Sequence, residues 1–132
     1  PEEVAQNWEA IKRRQRGITT AQQAMRDVSK GLSPTMRAGK VQQKAARAGY
    51  AFPEAEDALQ AVRNAAVKVG EMMNRKRDPE KALGKMLFDA VNATRLCGKS
   101  ADIALNEATD HFIDRFSTAE TATNAAKNAP NT

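Results

Sequence analysis

Apolar residues recur along this chain at alternating spacings of three and four almost from end to end, the period of one face of an α-helix, and no segment alternates as a strand would. Val4, Trp8 and Ile11 predict a short amphipathic helix ending near Gly17, and Thr19 and Thr20 are placed to cap a second, weaker helix that runs through Val28 and stops at Gly31. Ser33 followed by Pro34 supplies an N-cap and a first-turn proline for a helix that can run to Gly49. The connection Gly49 to Pro53 holds Tyr50 and Phe52, two of the chain's few aromatics, and Pro53 opens the next helix. That helix has the cleanest stripe, Ala55, Leu59, Val62, Ala66, Val69 and Met73, and must bury one face. A basic turn, Asn74-Arg75-Lys76-Arg77, leads through Asp78-Pro79 into a second long helix with Leu83, Met86, Leu87, Ala90, Val91 and Thr94 on its inner side, ending at Gly98. Ser100 caps a last helix striped by Ala101, Leu105, Ala108, Phe112 and Phe116.

These elements predict an all-α antiparallel helical bundle, in which the short loop makes the helices from Pro53 and Pro79 antiparallel neighbours. The expected organisation is a helical lead-in over 1–30, a bundle domain over 33–120, and a tail over 121–132 that frays for want of large apolar residues. The size, 132 residues, suits one domain.

Composition narrows the picture only a little. The 21 Lys and Arg against 16 Asp and Glu leave a net charge of +5, which permits an anionic partner without specifying one. Cys97 is the sole cysteine, so no internal disulfide forms and a reducing, cytoplasmic setting is expected, with Cys97 itself a buried, inert thiol. No apolar run approaches the ~20 residues of a membrane span, and the start, Pro-Glu-Glu, has no signal-like segment. A first residue other than Met fits either removal of an initiator or a piece of a longer chain.

Four segments carry a resemblance: NWEAIK from Asn7, GKVQQKAARAGYAFP from Gly39 to Pro53, LGKMLFDAVN from Leu83 to Asn92, and ADIALNEATDHFIDRF from Ala101 to Phe116. In order and spacing the chain resembles the MazG-type domain, the all-α nucleoside triphosphate pyrophosphohydrolase family, over nearly everything from Asn7 to Glu120. The resemblance implies a dimer of packed bundles and Mg²⁺-dependent cleavage of nucleoside triphosphates to monophosphate and pyrophosphate. Such chemistry rests on Glu-x-x-Glu on one helix and Glu-x-x-Asp on the next, because residues three apart share a helix face and hard oxygen ligands suit Mg²⁺. Carried onto this chain, those four positions are Ala65, Lys68, Ala82 and Lys85, so no metal cofactor is expected here. Glu71 and Asp89 lie on the same helices, but the antiparallel offset sets them on the order of 15 Å apart along the axes, too far to share one ion. Toward the end, Phe112, Arg115 and Phe116 match the family's Lys-Phe-x-Arg-Arg-Phe run, while His111 and Asp114 depart from it.

Three readings follow. The first is a MazG-like dimer that keeps the fold but not the hydrolysis and serves as a structural, regulatory or nucleotide-sensing unit. In it, Lys68 and Lys85 turn the metal cleft into an anion site, with Asn92, Arg115 and Phe52 as further nucleotide-binding candidates. The plainer alternatives are that each lysine reaches to solvent or pairs with Glu71 or Asp89, and that Phe52 is a packing plug. The second reading is an active pyrophosphohydrolase, opposed by the replaced ligands. The third is a nucleic-acid binder using Arg75, Lys76, Arg77 and the Lys40, Lys44, Arg47 face, which accounts for the charge but brings no recognition motif and few aromatics.

Overall fold

The computed structural model describes residues 2–128, and among them there are five helices and no strand. They are α1 (Glu2–Arg26), α2 (Pro34–Arg47), α3 (Ala55–Asn74), α4 (Glu80–Leu96) and α5 (Ala101–Asn128). The all-α expectation is met.

Most predicted boundaries follow from local chemistry. Ser33 Oγ accepts the Met36 amide at 3.2 Å, Asp78 Oδ1 accepts the Glu80 amide at 3.0 Å, and Ser100 Oγ accepts the Ile103 amide at 3.3 Å, each satisfying an otherwise orphaned donor. Pro79 sits at the N-cap of α4 itself, with Asp78 just outside. Gly49 and Gly98, with φ of 95° and 74°, follow the ends of α2 and α4 as expected.

Two expectations are corrected. The lead-in is one helix, since α1 passes through Gly17 without interruption. A mid-helix glycine costs only about 1 kcal/mol, too little to end a helix when both flanks favour it. Thr19 and Thr20 cap nothing; their hydroxyls donate back to the Gln15 and Arg16 carbonyls at 2.9 and 2.8 Å. The chain also stays helical past Glu120, with α5 continuing to Asn128, while residues 129–132 of the expected tail lie outside the described residues.

The principal packing is between α3 and α4, which run antiparallel through the short connection 75–79, and α2 lies against α4. The first turns of α5 touch α2 and α4, and α1 touches only α2. The buried face of α3 is Ala58, Ala65 and Val69, and that of α4 includes Val91 and Ala93. The predicted stripes hold in part: Val69 and Val91 are buried and Val62, Met86, Ala90 and Thr94 half-buried, but Leu59, Met73, Leu83 and Leu87 are exposed, and Ala58, Ala65 and Ala93, outside the predicted stripes, are buried instead. Small side chains let two helix backbones approach closely, and the larger residues are left flanking the contact.

Large apolar residues remain uncovered. Every described side chain of α5 from Ile103 to Lys127 is exposed, including Leu105, Phe112, Ile113 and Phe116. Val4, Trp8 and Ile11 of α1 are exposed as well. The chain's accessible surface is 10844 Å², whereas a compact monomer of this size has about 6,800 Å².

Candidate functional site

The face shared by α3 and α4 is where the resemblance places metal ligands. Ala65 is only 6% exposed and packs into the seam, and Ala82 is half-buried on α4. Lys68 points outward, its Nζ 3.9 Å from the Glu71 carboxylate three residues along. Lys85 Nζ donates to Asp89 Oδ2 at 2.6 Å, with the lysine side chain 67% and the aspartate 18% exposed. Each ammonium is therefore held beside a carboxylate of its own helix, the plainer of the two arrangements the sequence allowed. The four charges sum to zero locally. Among the described residues no three His, Cys, Asp or Glu side chains lie close enough together to hold a metal ion.

The remaining predicted site residues separate into two groups. Asn92 and Phe52 belong to one structural chain: Asn92, 7% exposed, accepts from Arg95 Nη2 at 2.8 Å, and the Arg95 guanidinium lies 4.7 Å over the Phe52 ring. Tyr50 meets Phe52 edge-on with ring centroids 4.7 Å apart. One face of Phe52 is thus occupied by Arg95, and the ring ties the connection between α2 and α3 to the end of α4. Arg115 and His111 are in the second group, on the exposed length of α5, a helix that does not pack on α3. Within one chain Arg115 is not brought beside Lys68.

Three features escaped the sequence. Arg95 bridges Asn92 and Phe52, and its only signal was the i,i+3 spacing from Asn92. Gln42 on α2 is 0% exposed, donates from Nε2 to the Phe88 carbonyl at 3.0 Å, and leaves Oε1 without a hydrogen-bond partner. Nothing in the apolar period announces a buried glutamine. Cys97, expected to be buried, is exposed, because it is the C-cap of α4, where the chain turns away at Gly98.

Between α2, α4 and α5 runs an apolar groove of about 580 Å³, with Ala38, Leu87, Phe88, Val91 and Leu105 in its walls. Leu105 shares its helix face with Phe112 and Phe116, whose rings stack at 6.3 Å, so the groove opens onto an uncovered apolar stripe. No helix among the described residues is long and apolar enough to cross a membrane.

No family model matches the chain. It is, however, similar to the curated nucleoside triphosphate pyrophosphohydrolases of Escherichia coli K12 and of Escherichia coli O157:H7, in both cases 30% identical over 125 residues, which cover 86% of this chain and 45% of the relative. The chain thus spans about half the length of the curated relatives it matches. An all-α architecture and an alignment over most of the chain agree with the residues that carried the resemblance, and the chain is MazG-like in sequence.

Proposed function

We propose that this chain is a MazG-like unit without Mg²⁺-dependent hydrolysis, acting as a dimeric structural, regulatory or nucleotide-sensing module. The observation that carries the reading is the α3–α4 face itself, where alanine stands at positions 65 and 82 and lysine at 68 and 85, with Lys85 closed onto Asp89 at 2.6 Å. Mg²⁺ is dehydrated reluctantly and is held by carboxylates, which these four side chains do not supply. An ammonium about 4 Å from a divalent ion repels it by about 2 kcal/mol in bulk water and by more in a partly dry cleft. Asp89, the acid one turn beyond Lys85 on α4, already has its cation.

The dimer part of the reading rests on surface. The accessible area of 10844 Å² exceeds the compact-monomer expectation by roughly 4,000 Å², and the exposed apolar stripe of α5 is part of it. Interfaces of obligate dimers bury about 2,000 to 5,000 Å² counted over both partners, so the excess on each chain is more than enough to supply its half of one. Beyond its first turns α5 has no packed face, and helical stability comes mostly from packing, which gives α5 a thermodynamic reason to acquire a partner.

Pyrophosphate release from nucleoside triphosphates with Mg²⁺ or Mn²⁺ tests the loss of hydrolysis, with rates at background expected. Turnover that rises with Mg²⁺ and vanishes with chelator overturns it. Sedimentation at micromolar concentration tests assembly, and a clean monomer removes the dimer.

A further inference from the structure

Among the described residues the salt bridges are Lys68–Glu71 and Lys85–Asp89, and two other lysines, Lys40 on α2 and Lys99 between α4 and α5, stand outside that pattern. Both line a single pocket of about 290 Å³, and a third cation, Arg95 of α4, lines it with them. Arg95 is not free to swing away. Its Nη2 donates to Asn92 at 2.8 Å, its guanidinium rests over Phe52, and its Nε is buried without a hydrogen-bond partner. Asp102, the carboxylate in the same wall, accepts from Ser33 Oγ at 3.0 and 3.2 Å and from the Thr35 hydroxyl. Three cations from three parts of the chain thus line one pocket with a single carboxylate, whose bonds to hydroxyls leave its charge in place, for a net formal charge of about +2.

A pocket with a net positive lining attracts an anion. We propose that this pocket, and not the α3–α4 face, is where the chain binds a phosphate-type oxyanion, with pyrophosphate or the terminal phosphates of a nucleotide as the ligand. Arg95 supplies a pre-positioned planar donor, and Lys40 and Lys99 supply mobile point charges that close on the anion from α2 and from the α4–α5 connection. The volume suits a phosphate or pyrophosphate group with some water, since pockets that enclose drug-sized molecules begin near ~300 Å³. A nucleoside would project into solvent, so base identity contributes little. The inference rests on the reading above for the class of ligand alone; it moves the site away from Lys68 and Lys85 and holds whether or not the chain hydrolyses anything.

Calorimetry of the full chain with inorganic pyrophosphate, in chelator and at low salt, tests it. The expected result is saturable binding that weakens about tenfold or more in Lys40→Ala with Lys99→Ala, as loss of charge-assisted contacts requires, and stays within about twofold of the parent in Lys68→Ala with Lys85→Ala. The pair Lys40→Gln with Lys99→Gln keeps most of each stem and must reproduce the loss, which separates charge from folding. ATP should bind with an affinity close to that of pyrophosphate. Absence of binding, equal loss in both lysine pairs, or loss only with Lys68 and Lys85 overturns the proposal. So does a single-stranded oligonucleotide binding far more tightly than pyrophosphate through the same lysines, which would make the pocket part of a polyanion track. Pyrophosphate release, measured separately, decides the hydrolysis question and is indifferent to this outcome.

Discussion

Replacing Lys76 by glycine should stabilise the fold. Three helices end in the same hydrogen-bond pattern: the Tyr50 amide donates to the Ala45 carbonyl at 3.0 Å, the Arg77 amide to Met72 at 2.9 Å, and the Lys99 amide to Thr94 at 3.1 Å. This six-to-one closure needs a left-handed residue just past the cap. At the ends of α2 and α4 that residue is Gly49 or Gly98, but at the end of α3 it is Lys76, with φ of 54°. A side chain in the left-handed region costs about 1–2 kcal/mol through the clash of its Cβ with the following carbonyl. Glycine removes that cost and returns roughly 0.5–1 kcal/mol as extra freedom of the unfolded chain. Beyond its backbone amide, which donates to the Met73 carbonyl at 3.0 Å and is kept by glycine, Lys76 is exposed and its side chain makes no salt bridge among the described residues, so it contributes little to set against this. The net expectation for Lys76→Gly is a gain of about 0.5–1 kcal/mol, or roughly 2–4 °C in Tm for a chain of this length. Circular dichroism melts and urea titrations at one fixed protomer concentration read it, because assembly would make Tm concentration-dependent. Lys76→Ala is the control: it removes the same charge from between Arg75 and Arg77 but keeps the Cβ. No gain with glycine refutes the strain argument, and an equal gain with alanine reassigns the effect to charge repulsion.

The converse substitution, Gly98→Ala, places a Cβ at φ of 74° and should cost about 1 kcal/mol or more by the same melts. Gln42→Leu gives up one hydrogen bond to the Phe88 carbonyl but also removes a buried acceptor that has no partner, so stability should change by less than about 1 kcal/mol; a loss well above that would mean that Oε1 is satisfied by bound water. Lys85→Ala breaks a pair whose lysine is 67% exposed and should cost no more than about 0.5 kcal/mol in a urea titration. Phe112→Ser with Phe116→Ser should shift sedimentation toward monomer while leaving helicity largely intact, since neither ring packs against the rest of its own chain; an unchanged profile would place any interface elsewhere.

What was legible from the residues alone was local. Ser33 with Pro34, Asp78, Ser100, Gly49 and Gly98 set helix ends through bonds and dihedrals that span only a few residues, so reading them needed no knowledge of the fold. The order and spacing of the MazG-like segments also survive in the linear chain, and they pointed to the same class of protein as the relatives that the alignment returns. Everything that depended on a neighbour from elsewhere in the chain required the tertiary structure. The period of α3 allows Leu59 or Ala58 to face inward, and the close approach of α4 selects the smaller residue. Gly17 is too weak a breaker to end α1 even beside the β-branched Thr19 and Thr20, whose hydroxyls bond back within the helix. The i,i+4 pair of Lys85 with Asp89 was legible as one of two alternatives, and the structure adopts it. Lys40, Arg95 and Lys99, separated along the chain, meet in one pocket only because α2, α4 and the α4–α5 connection pack together. Capping and turn energies act between near neighbours in sequence, whereas burial and charge clustering are properties of surfaces that do not exist until the helices have packed.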